Sequence, residues 1–536
     1  MIKPTRTLLL MVYVAAILAV VSFLVPKEMK LSDNQVIRFP QPSDVLPAKK
    51  KAYKNISNIT DQFDPTKSKG NTNKGSNSGG KGTTADNGSG NDSTGSKVAA
   101  DSVKKKLQAY TPPDSLRLKP ELKIQFPEGQ DTVLYPFFRA LNTLQNKTAQ
   151  KVVRVLHYGD SQLEGDRITN FLRGKFQEQF GGGGVGMLDI VDKLHTKTAF
   201  YQKASPRWIP SSFFGRTYRR TNSKFYGLLG KYYRFYNPAL GYNDGEYNFS
   251  EPQPLFRKAS YTPKPLKTTR VSASVTYTTL PSATPKQRAV QNVKVLYRSS
   301  KGPFDLQIFA KNDSSIRVKI PASDEFNYYE HKFSKPLEMV QVKITGSKSP
   351  QIYGVALDAN RGIAFDNIPI RGSSGVEFTR IEKEHFREQI RKMNVKFLIL
   401  QFGVNIVPNV LKNYGWYEKM FYQQLMFLKS LDPDLSILVI GVSDMSRRVA
   451  GGYETYPNVP LIRDAQKNAA FKAGCAFWDL YEAMGGKNSM PSWVFNNPKL
   501  ANLDFTHFTG KGAQIVSEML YKAILSEYDK FYQLYR

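Results

Sequence analysis

Apolar positions follow three different rhythms along this chain, and each rhythm predicts a different kind of element. Thr7 to Val25 is an uncharged apolar run preceded by Lys3 and Arg6, close to the ~20 residues that a membrane-spanning helix requires. It ends in Phe23-Leu-Val-Pro-Lys27 with no small-x-small exit, so residues 1–26 are expected to be an uncleaved signal anchor. The preceding basic residues put the short N-terminus in the cytoplasm and the remaining chain across the membrane. Residues 27–115 carry no apolar period and are densest in polar residues from Lys67 to Gly82. They are expected to be a disordered linker, with an r.m.s. span of about 50 Å for roughly 80 residues.

Order is expected from Leu116. Thr132 to Leu144 reads as a helix with Pro136 in its first turn. Continuous apolar runs at Val152–Leu156, Val395–Gln401, Ser436–Ile440 and Cys475–Trp478 predict buried strands, and helical spacing at Glu377–Met393, Tyr417–Leu431 and Leu461–Ala473 separates the later ones. Strands alternating with helices predict a parallel sheet covered on both faces. Arg270 to Asp358 instead alternates apolar and polar positions in short runs, the mark of an antiparallel sandwich of about 90 residues. Phe200 to Tyr261 is dense in Tyr, Phe, Arg and Lys without a clean period, and no element is assigned there. Gly181–Gly186 follows a helix and lacks the Lys-Ser/Thr of a phosphate loop, so it is read as a flexible turn.

Composition narrows the partners. The 536 residues carry a formal charge of +31. Lys193 to Lys348 holds 27 Lys and Arg against 9 Asp and Glu, more than half of that excess. Such a field attracts polyanions, and a location beyond the membrane removes nucleic acid from the candidates. The lone Cys475 excludes an internal disulfide. His195, His331 and His385 lack ligand-like spacing, so neither a metal nor another cofactor is expected.

Two distant motifs carry the chemistry. Val152-Val-Arg-Val-Leu-His-Tyr-Gly-Asp-Ser161 runs a strand into a turn bearing a hydroxyl, and Asp504-Phe-Thr-His507 sets a carboxylate three residues before an imidazole. A serine becomes nucleophilic when an imidazole takes its proton and a carboxylate fixes the imidazole's tautomer. Asn405, in Gly403-Val-Asn405 past a strand end, stands where ligands bind in open α/β sheets. Asp160, Gln162, Arg167, Gly403 and Asp444 are further candidates for lining a pocket.

These motifs, in this order, resemble those of the SGNH/GDSL hydrolase superfamily. Gly159-Asp160-Ser161 matches its first block, with Gln162 where Leu is common. Gly375 matches the second-block glycine, with Gly372 a weaker alternative. Gly403-Val404-Asn405 matches the third block, although Ile406 stands where Asp is common, and Asp504-Phe505-Thr506-His507 matches the last. The resemblance implies a catalytic triad of Ser161, His507 and Asp504, and an oxyanion hole from the Ser161 and Gly375 amides and the Asn405 side chain. It implies a three-layer α/β parallel-sheet domain formed by residues 116–192 and 355–536, with residues 193–354 inserted as a basic aromatic segment and β-sandwich. That arrangement is similar to bacterial peptidoglycan and polysaccharide O-acetylesterases, in which the inserted module resembles a carbohydrate-binding one. The expected function is therefore removal of O-acyl groups from an acylated anionic glycan by a periplasm-facing esterase tethered to the bacterial inner membrane. An O-acetyltransferase, or a non-catalytic glycan-binding protein, is the alternative.

Overall fold

A computed structural model describes residues 9–14, 16–17, 20, 28–32, 35–38, 53–65, 118–149, 151–192, 199–215, 223–237, 270–311 and 313–535. Its centre is a five-stranded parallel sheet of β1 (Val153–Gly159), β2 (Ile363–Pro369), β3 (Val395–Gln401), β4 (Ser436–Ile440) and β5 (Ala476–Trp478), in the order β2-β1-β3-β4-β5. Side chains alternate between its faces, as strand geometry demands. Val153, Val155, Phe365 and Ile399 face a layer made by α1 (Ser57–Phe63), α2 (Tyr135–Gln145), α3 (Thr169–Phe180) and the C-terminal α7 (Gly510–Tyr535). Leu156, Tyr158, Leu398 and Val439 face α4 (Lys383–Lys392), α5 (Gly415–Lys429) and α6 (Val459–Lys472). With both faces covered, these strands read as continuous apolar runs rather than alternating ones. The expected helix from Glu377 begins only at Lys383, where the Glu382 carboxylate accepts the amides of Glu384 and His385 and so caps it.

Two antiparallel sheets lie between α3 and β2 in the chain. One runs 316–320, 304–310, 339–346, 271–279, 200–204; the other runs 323–332, 292–299, 351–358, 231–235, 208–212, with 184–188 also paired to 351–358. Val275, Tyr277, Val295, Ile308, Val342 and Leu357 meet between them in one core. Three of these strands come from the unassigned aromatic and basic stretch. Gly184–Leu188, read as part of a flexible turn and of the first parallel-sheet segment, is instead a buried strand. Gly186 is required there: its φ is +79°, and a Cβ would lie 2.1 Å from Asp366 Oδ1. β2 was also absent from the predicted strands.

Toward the N-terminus, the expected span falls on residues of which only 9–14, 16–17 and 20 are described, all helical and exposed. Among the described residues no helix is long and apolar enough to cross a membrane. The linker expectation needs correction. Glu28–Ser32 and Gln35–Arg38 pair as an antiparallel hairpin, and residues 53–65 dock on the α/β body through buried Ile56, Ile59 and Phe63. Their spacing of three and four makes one helical stripe, too short to stand out within a polar tract.

Candidate active site

Ser161, Gly403 and Asp444 all follow carboxyl ends of the parallel strands, the edge where open α/β sheets bind ligands. Beyond β1, the Asp160 carboxylate accepts the Gln162 amide at 3.0 Å and starts the short helical turn Ser161–Asp166. From the far end of the chain, Asp504 Oδ1 accepts the amides of Thr506 and His507, each at 3.0 Å, closing a tight turn. Phe505 stacks on Tyr453 with centroids 3.6 Å apart, while Phe508 packs on Trp493 at 5.3 Å. His507 is thereby held from both sides.

The two motifs meet, 346 residues apart in sequence. His507 Nδ1 lies 2.8 Å from Asp504 Oδ2, and His507 Nε2 lies 2.7 Å from Ser161 Oγ. With Nδ1–H donated to the carboxylate, Nε2 presents its lone pair to the serine hydroxyl. Partial burial pushes the Asp504 carboxyl up, but the His507 side-chain bond and the amides of His507 and Thr506 outweigh it and bring the pKa down to about 2. Asp504 is thus an ionised acceptor throughout the neutral range.

The other candidate residues divide between this centre and the framework. Gln162 Nε2 donates to Thr506 O at 2.7 Å and to Ser443 Oγ at 3.3 Å, tying the serine turn to the histidine loop. Arg167 donates to Glu164 O at 2.8 Å and Phe508 O at 3.4 Å; burial lowers its pKa, and Glu164 and Asp504 oppose the fall. Asp160 is buried, and burial raises its pKa to about 7 against the amides of Gln162, Val404 and Gly403. Gly403, at φ +126°, leaves no room for a side chain, since a Cβ would lie 2.8 Å from Val442 Cβ. Asp444 is likewise buried. It accepts from Thr455 Oγ1 at 2.8 Å and from the amides of Met490 at 2.7 Å and Met445 at 3.0 Å. Burial raises its pKa to about 6.

Two of the three expected oxyanion donors, Gly375 and Asn405, engage Ser373. Gly375 N donates to Ser373 Oγ and Asn405 Nδ2 to Ser373 O, each at 2.9 Å. Ser373 Oγ in turn donates to Glu377 Oε2 at 2.6 Å. Sequence reading passed over Ser373 and Glu377, although their four-residue separation within the glycine loop was a usable signal.

A parallel sheet between two helical layers thus carries serine, imidazole and carboxylate in series at its carboxyl edge. No protein-family profile matches the sequence, and no curated protein matches it. Among solved structures, the chain is similar to that of a peptidoglycan O-acetylesterase in action, with a TM-score of 0.54 and 18% identity over 74% of this chain and 96% of the other. It is more distantly similar to an acetyl xylan esterase, with a TM-score of 0.24 and 15% identity over 31% of this chain and 81% of the other. The first of these likenesses establishes a shared fold.

Proposed function

We propose that this chain is a serine esterase that removes O-acyl groups, acetyl foremost, from a cell-envelope glycan. The observation that carries this reading is the unbroken relay from Asp504 through His507 to Ser161, with steps of 2.8 and 2.7 Å. Ser161 Oγ bonds to the ester carbonyl carbon as His507 Nε2 takes its proton, and Asp504 steadies the imidazolium through Nδ1–H. Collapse of the tetrahedral intermediate breaks the bond from that carbon to the sugar oxygen, which leaves with the proton held on Nε2. Water then attacks the acyl-serine with His507 again as base, releasing the carboxylic acid and restoring Ser161. Asn405 and the Gly375 amide become oxyanion donors when the substrate oxygen replaces their Ser373 partner, each contributing about 10²- to 10³-fold in rate.

The fold shared with a peptidoglycan O-acetylesterase supports an acylated glycan as substrate. The apolar run Thr7–Val25 supports a single-pass anchor in a bacterial inner membrane, with the esterase on the periplasmic side. Ser161→Ala should reduce hydrolysis of p-nitrophenyl acetate by at least about 10⁴-fold without shifting the unfolding temperature. Undiminished turnover in that variant refutes the assignment. Mass spectrometry of envelope glycans before and after treatment should show loss of acetyl from the substrate polymer.

A further inference from the structure

We infer that Tyr53, which opens the docked segment 53–65, is a positioning residue for the His507 imidazole, acting through Phe495 and Phe505. The inference rests on the esterase reading for the reaction served. It adds a support for the histidine that comes from the opposite end of the chain. Phe505 is the starting point, because it sits between Asp504 and His507 with φ at +53°. That left-handed conformation is unfavourable for a bulky residue and persists only where the surroundings over-determine it. Here it closes the turn in which Asp504 Oδ1 accepts the amides of Thr506 and His507 while Oδ2 meets His507 Nδ1. Relaxation of Phe505 to a negative φ would swing Asp504 away from both amides and from the ring. His507 Nε2 would then lose its 2.7 Å approach to Ser161 Oγ.

A cluster of four rings opposes that relaxation. Phe505 is buried, stacked on Tyr453 with centroids 3.6 Å apart and met edge-on by Phe495 at 5.7 Å. Phe495 also reaches Tyr453, at 6.2 Å, so it touches both members of the stack. Yet Phe495 ends the short helix Ser489–Phe495 and is 50% exposed, which leaves half of its ring surface without packing to fix it. Tyr53 supplies that constraint, lying nearly parallel to Phe495 at 21° with centroids 5.2 Å apart. Stacking of this kind is attractive beyond the area it buries, and it favours the one setting of Phe495 that abuts Phe505. Tyr53 is itself placed by its neighbours. Lys54 donates to Gly485 O, and Ile56, Ile59 and Phe63 enter the core that also holds Phe505 and Phe508. One apolar core therefore receives both the docked segment and the histidine loop, and the Tyr53–Phe495 stack links them at its rim. Because three buried side chains hold the segment down, loss of the Tyr53 ring leaves the segment docked and removes the stack alone.

The test combines steady-state hydrolysis of p-nitrophenyl acetate with hydrogen exchange, read by mass spectrometry over residues 502–509, on the full chain in detergent. Tyr53→Ala should lower kcat at least about threefold with KM within about twofold, the pattern of a misplaced reacting group rather than a lost binding contact. It should also speed exchange over 502–509 about tenfold. Tyr53→Phe, which keeps the ring, should hold both to within about 1.5-fold of the unsubstituted chain. Phe495→Ala should reproduce the loss of kcat. Adding Tyr53→Ala to it should change kcat by less than about 1.5-fold, because residues acting along one path are not additive. Unchanged kcat in Tyr53→Ala, a loss that Tyr53→Phe shares, or fully additive losses overturn the inference. If the unsubstituted chain hydrolyses no ester while Tyr53→Ala still speeds exchange over 502–509, the esterase falls and the support of the histidine loop stands. Hydrolysis that is indifferent to Tyr53→Ala removes the positioning role alone.

Discussion

His157 stands four positions before Ser161 on the same turn-bound strand, yet it is not available as a base. Its ring is fully buried, with Nε2 3.1 Å from Gln401 Oε1 and Nδ1 3.0 Å from Thr169 Oγ1. Burial, helped by Arg173 and opposed by the Gln401 bond, pushes its pKa down to about 3. Between that value and the ordinary one near 6.5, the unfolded chain binds a proton that the folded chain refuses. Stability attributable to this group is complete above about pH 6.5 and falls by about 1.4 kcal/mol per unit as pH drops below it. Urea unfolding at pH 7.5 and pH 5 should therefore show wild type losing about 2 kcal/mol more than His157→Gln on acidification. The raised carboxylates Asp160 and Asp444 act in the opposite sense but are common to both proteins; equal losses would mean that His157 is not held neutral. At this scale the sequence was readable where the geometry is local: Asp504 and His507 belong to one turn, and Ser161 to the end of one strand. The hydrogen bonds of Asp444 were not legible, because their donors, Thr455 and Met490, come from elements that nothing in the local pattern connects to it.

The same distinction between local and distant partners decides which elements were legible. β1, β3, β4 and β5 announce themselves as unbroken apolar runs because both faces of each are covered. β2 carries Asp366 and Asn367 in its middle, and buried acidic residues argue against a strand until their partner is known. The partner is Arg154 on β1, which donates to Asp366 Oδ1 at 2.7 Å and pairs also with Asp358 of the neighbouring antiparallel strand. All three side chains are fully buried. One guanidinium thus joins β1, β2 and strand 351–358, and Asp366 Oδ1 further accepts the Met187 amide at 2.8 Å, fixing strand 184–188 as well. Burial raises the Asp366 carboxyl, with Asp358 adding to the rise and Arg154 opposing it. Arg154→Met removes the only one of the three carrying positive charge and leaves two carboxylates facing each other in a dry interior. The expected cost is about 3–5 kcal/mol, the range for breaking a buried ion pair from one side, read as a shift in the urea midpoint. A shift below about 1 kcal/mol would mean the cluster is not a structural junction.

At the scale of the whole molecule, the docked segment 53–65 changes how the proposed anchor holds the esterase. Ile56, Ile59 and Phe63 enter the core that contains α3 and α7, and Tyr53 stacks on Phe495 with centroids 5.2 Å apart. Asp64 pairs with Lys511, Lys54 donates to Gly485 O, and Lys522 lies 4.9 Å above the Phe63 ring. The tract 66–117 then joins two points that both sit on the α/β body, since Leu118 is buried in the same core. It contributes nothing to the distance from the membrane. Only residues 27–52 separate the docked segment from the proposed anchor, against the 27–115 of the expected linker. Under the proposed anchoring, the folded body would sit closer to the anchor than a tether of residues 27–115 would place it. A site-specific protease sequence inserted between Gly79 and Gly80 tests the docking directly. After cleavage, the N-terminal fragment should co-elute with the rest of the chain in detergent, because the clip is non-covalent but buries three large apolar side chains, each contributing about 1.5–3 kcal/mol. Ile59→Asp with Phe63→Asp should release the fragment on cleavage, as burying carboxylates in that core is unfavourable. Separation of the unsubstituted fragments would show that the segment does not hold, and the longer reach would then apply.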